Sequence, residues 1–228
     1  MRTISIVSSH VGTGKTTVAV NAAKGLERQG HKVIMHEMGH SDDLCNWLGK
    51  TTANEEIKFN SGHIIHSLMG VDILINDTEG MDLAYYDDAH ALMEEQGYDY
   101  FILDTDNLKK NLVIAAHIAD TFIACTELAP EDEPQKLARL NRMIEDNSQH
   151  KKGINLVVPC KINVNDWANN SQMLFSIADR VGYENIADLI PACDRIHLLS
   201  CDHKHVWELK QRNIKNVFDN LIARLEII

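Results

Sequence analysis

One segment constrains this chain more than any other: Ser9-His10-Val11-Gly12-Thr13-Gly14-Lys15-Thr16-Thr17. It lies between an apolar run at 4–7 and a helical pattern over 16–29, in which Val18, Ala19, Ala22, Ala23 and Leu26 recur on one face. Two glycines let the backbone close tightly, so that successive N–H groups converge on an anion, and the helix start adds a positive dipole. Strand, glycine loop and helix in this order are the context a phosphate-binding loop requires. The reading assigns His10, Val11, Gly12, Thr13, Gly14, Lys15, Thr16 and Thr17 to a nucleotide, with Lys15 on its β- and γ-phosphates and the Thr16 hydroxyl on Mg²⁺. The leading glycine of the usual GxxxxGK[ST] pattern is Ser9 here. The bland alternative is a strand–helix turn with a chance lysine.

The rest of the chain repeats the same alternation. Apolar runs at 31–36, 71–75, 98–103, 121–125 and 155–159 read as strands, with 186–190 as a last one. Helical patterns cover 87–96, 112–119, 133–146, 170–181 and 206–225. Strands that are apolar throughout belong in a parallel sheet covered on both faces. The expected fold is therefore α/β: a doubly wound, mostly parallel sheet with helices on both faces, in one domain over 1–228. Ligands of such sheets bind beyond the C-terminal strand ends. Residues 41–70 are polar and irregular apart from 44–48 and 64–68, and read as a cap or a helical excursion.

The 228 residues carry a net charge of −11, which excludes nucleic-acid binding through overall charge. From Cys193 onward basic residues slightly outnumber acidic ones, so a polyanion contact belongs near the C-terminus. Five dispersed cysteines without a CxxC pair point to a reduced, cytoplasmic chain. The N-terminal apolar stretch is too short for a secretory leader, and no run of 18 apolar residues exists to span a membrane.

Asp104 ends the apolar strand 98–103, the position of a carboxylate that shares Mg²⁺ with Thr16. Alone, it reads equally as a turn cap. With these residues in place, the chain resembles the ParA/MinD group of deviant-Walker P-loop ATPases. HVGTGKTTVAVNAAKGLERQGHKVIMHE is similar to the family's KGGVGKTT segment with its helix and second strand, and YDYFILDTD to YDYIIIDTPPS. NLVVPCKIN and IPACDRIHLLSCDHKHVWE resemble the segments around the nucleotide base.

The resemblance implies ATP and Mg²⁺ as cofactors, with Lys15, Glu37 and Asp104 as catalytic residues, Thr16 and Asp104 at the metal, and Lys161 and Asn163 near the base. A strand-end polar turn explains Lys161 and Asn163 as well. The family's signature lysine, which reaches a dimer partner's phosphates, falls on His10; Lys161, Lys109 or Lys110 would be substitute cations, and a loop histidine without phosphate contact is the other reading. The family's first strand-2 aspartate matches Glu37. Its second, which orients the attacking water, falls on Gly39, leaving Asp42 or Asp43 to swing in and turnover slow. What is implied is a slowly hydrolysing, nucleotide-dependent dimeric switch that segregates plasmid or other DNA cargo, with links to plasmid stability or conjugation. It would be nucleoid-associated and would work with a DNA-binding adaptor protein. The alternatives are a metal-cofactor maturation ATPase, whose interface CxxC is absent, and a nucleotide-binding module without turnover.

Three other features stand out. Cys193, His197, Cys201, His203 and His205 offer sulfur and nitrogen ligands of the kind Zn²⁺ prefers, or a loop of buried thiols and histidines. The last helix has an apolar face (Leu209, Ile214, Val217, Phe218, Leu221, Ile222, Leu225) against Lys210, Arg212, Lys215 and Arg224, either plain packing or a weak non-specific DNA surface. No basic amphipathic tail follows it, so membrane attachment is not expected. Glu131, Asp132 and Glu133, between Pro130 and Pro134, read as an acidic helix start.

Overall fold

The computed structural model describes residues 1–39, 43–49, 57–59, 62–76, 82–129 and 131–228. Among them, eight strands form one sheet: β1 (Arg2–Ser8), β2 (Val33–Glu37), β3 (Ile57–Phe59), β4 (Gly62–Ile65), β5 (Asp72–Asn76), β6 (Tyr100–Asp104), β7 (Thr121–Thr126) and β8 (Leu156–Pro159), in the order β3-β4-β5-β2-β6-β1-β7-β8. The six strands from β5 to β8 in that order run parallel, and β3 and β4 are antiparallel. The helices are α1 (Lys15–Arg28), α2 (Asp43–Leu48), α3 (Leu83–Glu95), α4 (Lys109–Ile118), α5 (Glu133–Asn147), α6 (Trp167–Val181), α7 (Asp194–Leu199) and α8 (Arg212–Leu225).

Alternate residues of the central strands feed two cores. Ile4, Tyr100 and Ile102 pack with Val18, Ala22 and Leu26 of α1 and with Phe218 and Ile222 of α8. On the other face, Phe101 and Leu103 meet Tyr86 of α3 and Ile114 of α4, while Phe122 and Ala124 meet Leu137 of α5 and Ile177 of α6. This is the doubly wound arrangement expected of strands that are apolar throughout. Gly25 allows α8 to dock on α1, because a Cβ there would come within 2.4 Å of Ile222 Cδ1.

Three expectations are corrected. Residues 186–190 form no strand; Ile186 and Pro191 make only isolated bridges to Val157 and Ile162. The last helix does not run unbroken from 206. A short 3₁₀ turn at Val206–Glu208 is followed by extended backbone at Leu209 and Gln211 before α8 begins. The break lets the Val206 N–H donate to Asn21 Oδ1 (2.9 Å) and Trp207 Nε1 donate to Asp219 Oδ1 (2.6 Å). Within 41–70 the described residues form α2 and the antiparallel β3–β4 pair. β4 alternates buried and half-buried residues, the pattern of a strand with only one face in the core, and β3 forms the sheet edge beside it. No helix among the described residues is long and apolar enough to cross a membrane.

Candidate functional site

Neighbouring parallel strands bring the site together. β1 and β6 pair with Ile6 opposite Asp104, and β2 and β6 with Glu37 opposite Asp104, so the segments leaving all three strands emerge side by side. A cavity of about 440 Å³ opens there, its lining including Lys15, Thr16, Glu37, Asp43, Asp104 and Asp106. Val11, Gly12, Gly14, Thr17 and Lys161 border it as well.

The loop leaves β1 and enters α1 through Gly14, whose φ of 97° lies in the left-handed region that favours glycine. No side chain caps α1 and no acidic residue sits in its first turn, so its N-terminal dipole is uncompensated. Thr13 is fully buried and its Oγ1 has no hydrogen-bond partner. Lys15 Nζ donates to Asn107 Oδ1 (2.8 Å) and Ser8 Oγ (3.1 Å), and Asn107 Nδ2 donates to the Ser8 carbonyl (3.1 Å). Thr16 Oγ1 donates to Asp104 Oδ2 (2.6 Å). Burial pushes the Asp104 carboxyl up to about 6, against the downward pull of the Thr16 hydrogen bond and the Lys15 charge; Asp43 and Asp106 add to the rise. A buried carboxylate beside a hydroxyl is a hard-oxygen pair suited to Mg²⁺, which would relieve the cost of ionising Asp104.

The other expected residues divide. Glu37 Oε2 accepts from the Leu44 N–H (3.1 Å), so Glu37 holds the start of α2 while lining the cavity. Asp43 reaches the lining too; Asp42 and Pro130 lie outside the described residues. Lys161 bridges the P-loop and the β7 exit, donating to the Gly12 carbonyl and pairing with Glu127 Oε1 (3.2 Å). Asn163 Oδ1 accepts from the Asn165 N–H (3.1 Å), a local turn. Asn163 nonetheless lines, with Lys161, an adjoining cavity of about 660 Å³ between the β7 and β8 exits. Lys109 and Lys110 line a separate apolar groove with Leu83 and Val113.

His10 does not stand free in its loop. Its Nδ1 lies 2.9 Å from Ser9 Oγ and 3.3 Å from Glu133 Oε2. Glu133, fully buried at the start of α5, accepts from Ser9 Oγ (2.5 Å) and Thr126 Oγ1 (2.7 Å). Glu133 is thus a tether for the glycine loop as well as a residue of the α5 start, and Ser9 makes the tie. Sequence reasoning missed Asn107 and Asp106, although the polar run Asp-Thr-Asp-Asn after an apolar strand was a usable signal. His197, named from the sequence as a metal-ligand candidate in a segment that resembles one around the base, borders the cavity from α7.

The cysteine–histidine stretch does not converge. His203 Nδ1 lies 3.0 Å from the Trp47 carbonyl, His205 Nε2 lies 3.5 Å from Glu208 Oε1, and no group of three metal-ligating side chains gathers among the described residues. Arg224 is spent on the carbonyls of Glu184 and Ile186, which subtracts it from the basic face of α8.

No protein-family model matches the chain, and no curated protein matches its sequence. Solved structures do. The MinC:MinD cell division protein complex of Aquifex aeolicus aligns at a TM-score of 0.78 and 18% identity, over 99% of this chain and 96% of the other. A plasmid partition protein of Borrelia burgdorferi B31 bound to AMPPNP gives 0.76 and 18%, over 100% and 99%. A variant of Cyanothece McdA in complex with ATP gives 0.77 and 18%, over 100% and 97%. The chain has the α/β P-loop fold that these structures share.

Proposed function

We propose that the chain binds ATP with Mg²⁺ in the cavity beyond β1, β6 and β2, and acts as a ParA/MinD-type positioning ATPase. The observation that carries this reading is the set Lys15, Thr16 and Asp104, held within hydrogen-bond distance of one another or of Asn107 around the loop–helix junction. The P-loop N–H groups and the α1 dipole would receive the phosphates. Lys15 would exchange its bonds to Asn107 and Ser8 for β- and γ-phosphate oxygens. Thr16 and Asp104 would hold Mg²⁺, which when bound neutralises phosphate charge. The solved neighbours include chains bound to ATP and AMPPNP, which supports the same ligand here.

The same reading includes nucleotide-dependent self-association. Val11, Leu108, Val164, Trp167 and Leu198 are each more than half exposed. The first four sit in segments leaving β1, β6 and β8, and Leu198 is next to His197 of the cavity lining. Large apolar side chains gathered around a polar mouth favour a protein surface closing over it. The cargo reading, a plasmid or other DNA body engaged through an adaptor protein, is supported by the partition protein among the neighbours. The test is ATP titration by calorimetry with and without Mg²⁺, followed by light scattering with AMPPNP. Expected are Mg²⁺-dependent binding and a doubled mass with the analogue. A chain that ignores ATP at millimolar concentration would end the proposal.

A further inference from the structure

Cleaving a phosphoanhydride requires an acceptor that holds the attacking water in line with the γ-phosphorus. Lys15 and Thr16 meet phosphate and metal, and Asp104 is bonded to Thr16. Among the described residues, three other carboxylates line the cavity: Glu37, Asp43 and Asp106. Glu37 accepts the Leu44 N–H, and Asp43 is an exposed residue at the start of a six-residue helix. Asp106 is built differently. Its Oδ1 accepts from the Leu108 N–H (3.0 Å) and from Asn111 Nδ2 (3.1 Å), and its Oδ2 makes no hydrogen bond among the described residues. Asn111, only 6% exposed, also donates to the Met38 carbonyl (2.6 Å), which locks the carboxylate to the exit of β2. One oxygen is fixed by two donors, and the residue lines the cavity.

We propose that Asp106 is the water-orienting catalytic residue of this site, its Oδ2 accepting a hydrogen bond from the water that attacks the γ-phosphate, with Asn111 as its positioning residue. This rests on the ATP reading above. In the step, the water oxygen bonds to the γ-phosphorus, and the bond from that phosphorus to the bridging oxygen breaks. The electron pair leaves on ADP, and the water protons end on inorganic phosphate and in solvent. Asp106 supplies orientation, so its loss lowers rate and spares affinity.

The test uses the full chain, with single-turnover hydrolysis at saturating MgATP beside equilibrium binding of AMPPNP. Asp106→Asn, nearly isosteric, is expected to slow hydrolysis about 100-fold with affinity within about 3-fold. Asp106→Glu should recover part of the rate, and Asn111→Ala should lose about 10-fold. Wild-type turnover by Asp106→Asn would overturn the assignment. So would an Asp106→Asn that loses affinity but keeps its rate at saturation. A wild-type chain that binds ATP and never cleaves it would overturn this inference and leave the binding reading standing; one that fails to bind would end both.

Discussion

The floor and the rim of the cavity beyond β1, β6 and β2 are built on different terms. On the floor, Ser8, Lys15, Thr16, Asp104 and Asn107 hang from two paired strands, with bonds of 2.6–3.1 Å between side chains of adjacent segments and from Asn107 Nδ2 to the Ser8 carbonyl. On the rim, Val11 is 76% exposed and Lys161 reaches across from β8 with its side chain more than half exposed. His197 comes from a short helix late in the chain. The floor is preorganised by the sheet, so a ligand exchanges existing bonds for its own at little cost in ordering. The rim is held by solvent-exposed contacts, such as those of Lys161 with Gly12 and Glu127, which a ligand or a second surface can exchange. Affinity should therefore be concentrated below and only adjusted above.

The largest effect tests the floor directly. Lys15→Ala is expected to weaken ATP binding by at least about 100-fold, the worth of one charge-assisted bond to a phosphate in a sheltered site. Calorimetry with MgATP checks it. The ligand-free chain should melt within a few degrees of wild type, because among the described residues Lys15 bonds only two polar side chains. Retained affinity would move the phosphate site off the floor.

How much of this the sequence discloses follows the same division. Lys15, Thr16 and Asp104 were legible because the loop motif fixes two of them by spacing, and the third ends an uninterrupted apolar strand. The parallel strands were legible for the same reason, since burial on both faces writes itself as an apolar run. The tether of Ser9 to Glu133 joins residues 124 positions apart, and no local pattern announces it. Asp106 was hidden by its neighbour, as a second aspartate after Asp104 reads as turn polarity until Asn111 and Leu108 are seen to hold it. The β3–β4 edge was missed because half-buried strands of three and four residues leave no apolar run.

A second floor variant, Asp104→Asn, should lower Mg²⁺-dependent ATP affinity about 10-fold, since a neutral amide cannot offset a divalent cation. It also exposes a hidden balance. His36, on β2 opposite Leu103, is buried against Tyr86 with its Nδ1 2.8 Å from the Leu74 carbonyl, and burial lowers it from 6.5 to about 4. Between those values the unfolded chain binds more protons there, so acidification removes about 3 kcal/mol of stability. Asp104, raised from 3.8 to about 6, works in reverse: the folded chain holds the extra proton, and stability is regained as pH falls through that window, again by about 3 kcal/mol. The two contributions nearly cancel in the wild type. In buffer free of Mg²⁺ and nucleotide, urea unfolding of Asp104→Asn should therefore lose stability from pH 6.5 to 4 more steeply than wild type does. Parallel pH profiles for the two proteins would place Asp104 in a solvated, unperturbed setting, and the floor would lose its claim to be the buried half of the site.

The smallest effect belongs to the rim. Lys161 takes a left-handed backbone (φ 57°), donates to the Gly12 carbonyl and pairs with Glu127. Its side chain is 55% exposed, and exposed ion pairs contribute little. Lys161→Ala should weaken ATP binding by only about 3-fold, with most of that loss disappearing at high salt, because solvent screens a charge on the mouth far more than one on the floor. The comparison with Lys15→Ala under identical conditions is decisive for the division between the two regions. If both lysines cost the same, the rim grips the ligand no less than the floor does, and Lys161 is a primary charge of the site. If Lys161→Ala costs nothing even at low salt, its contact with Gly12 only braces the loop.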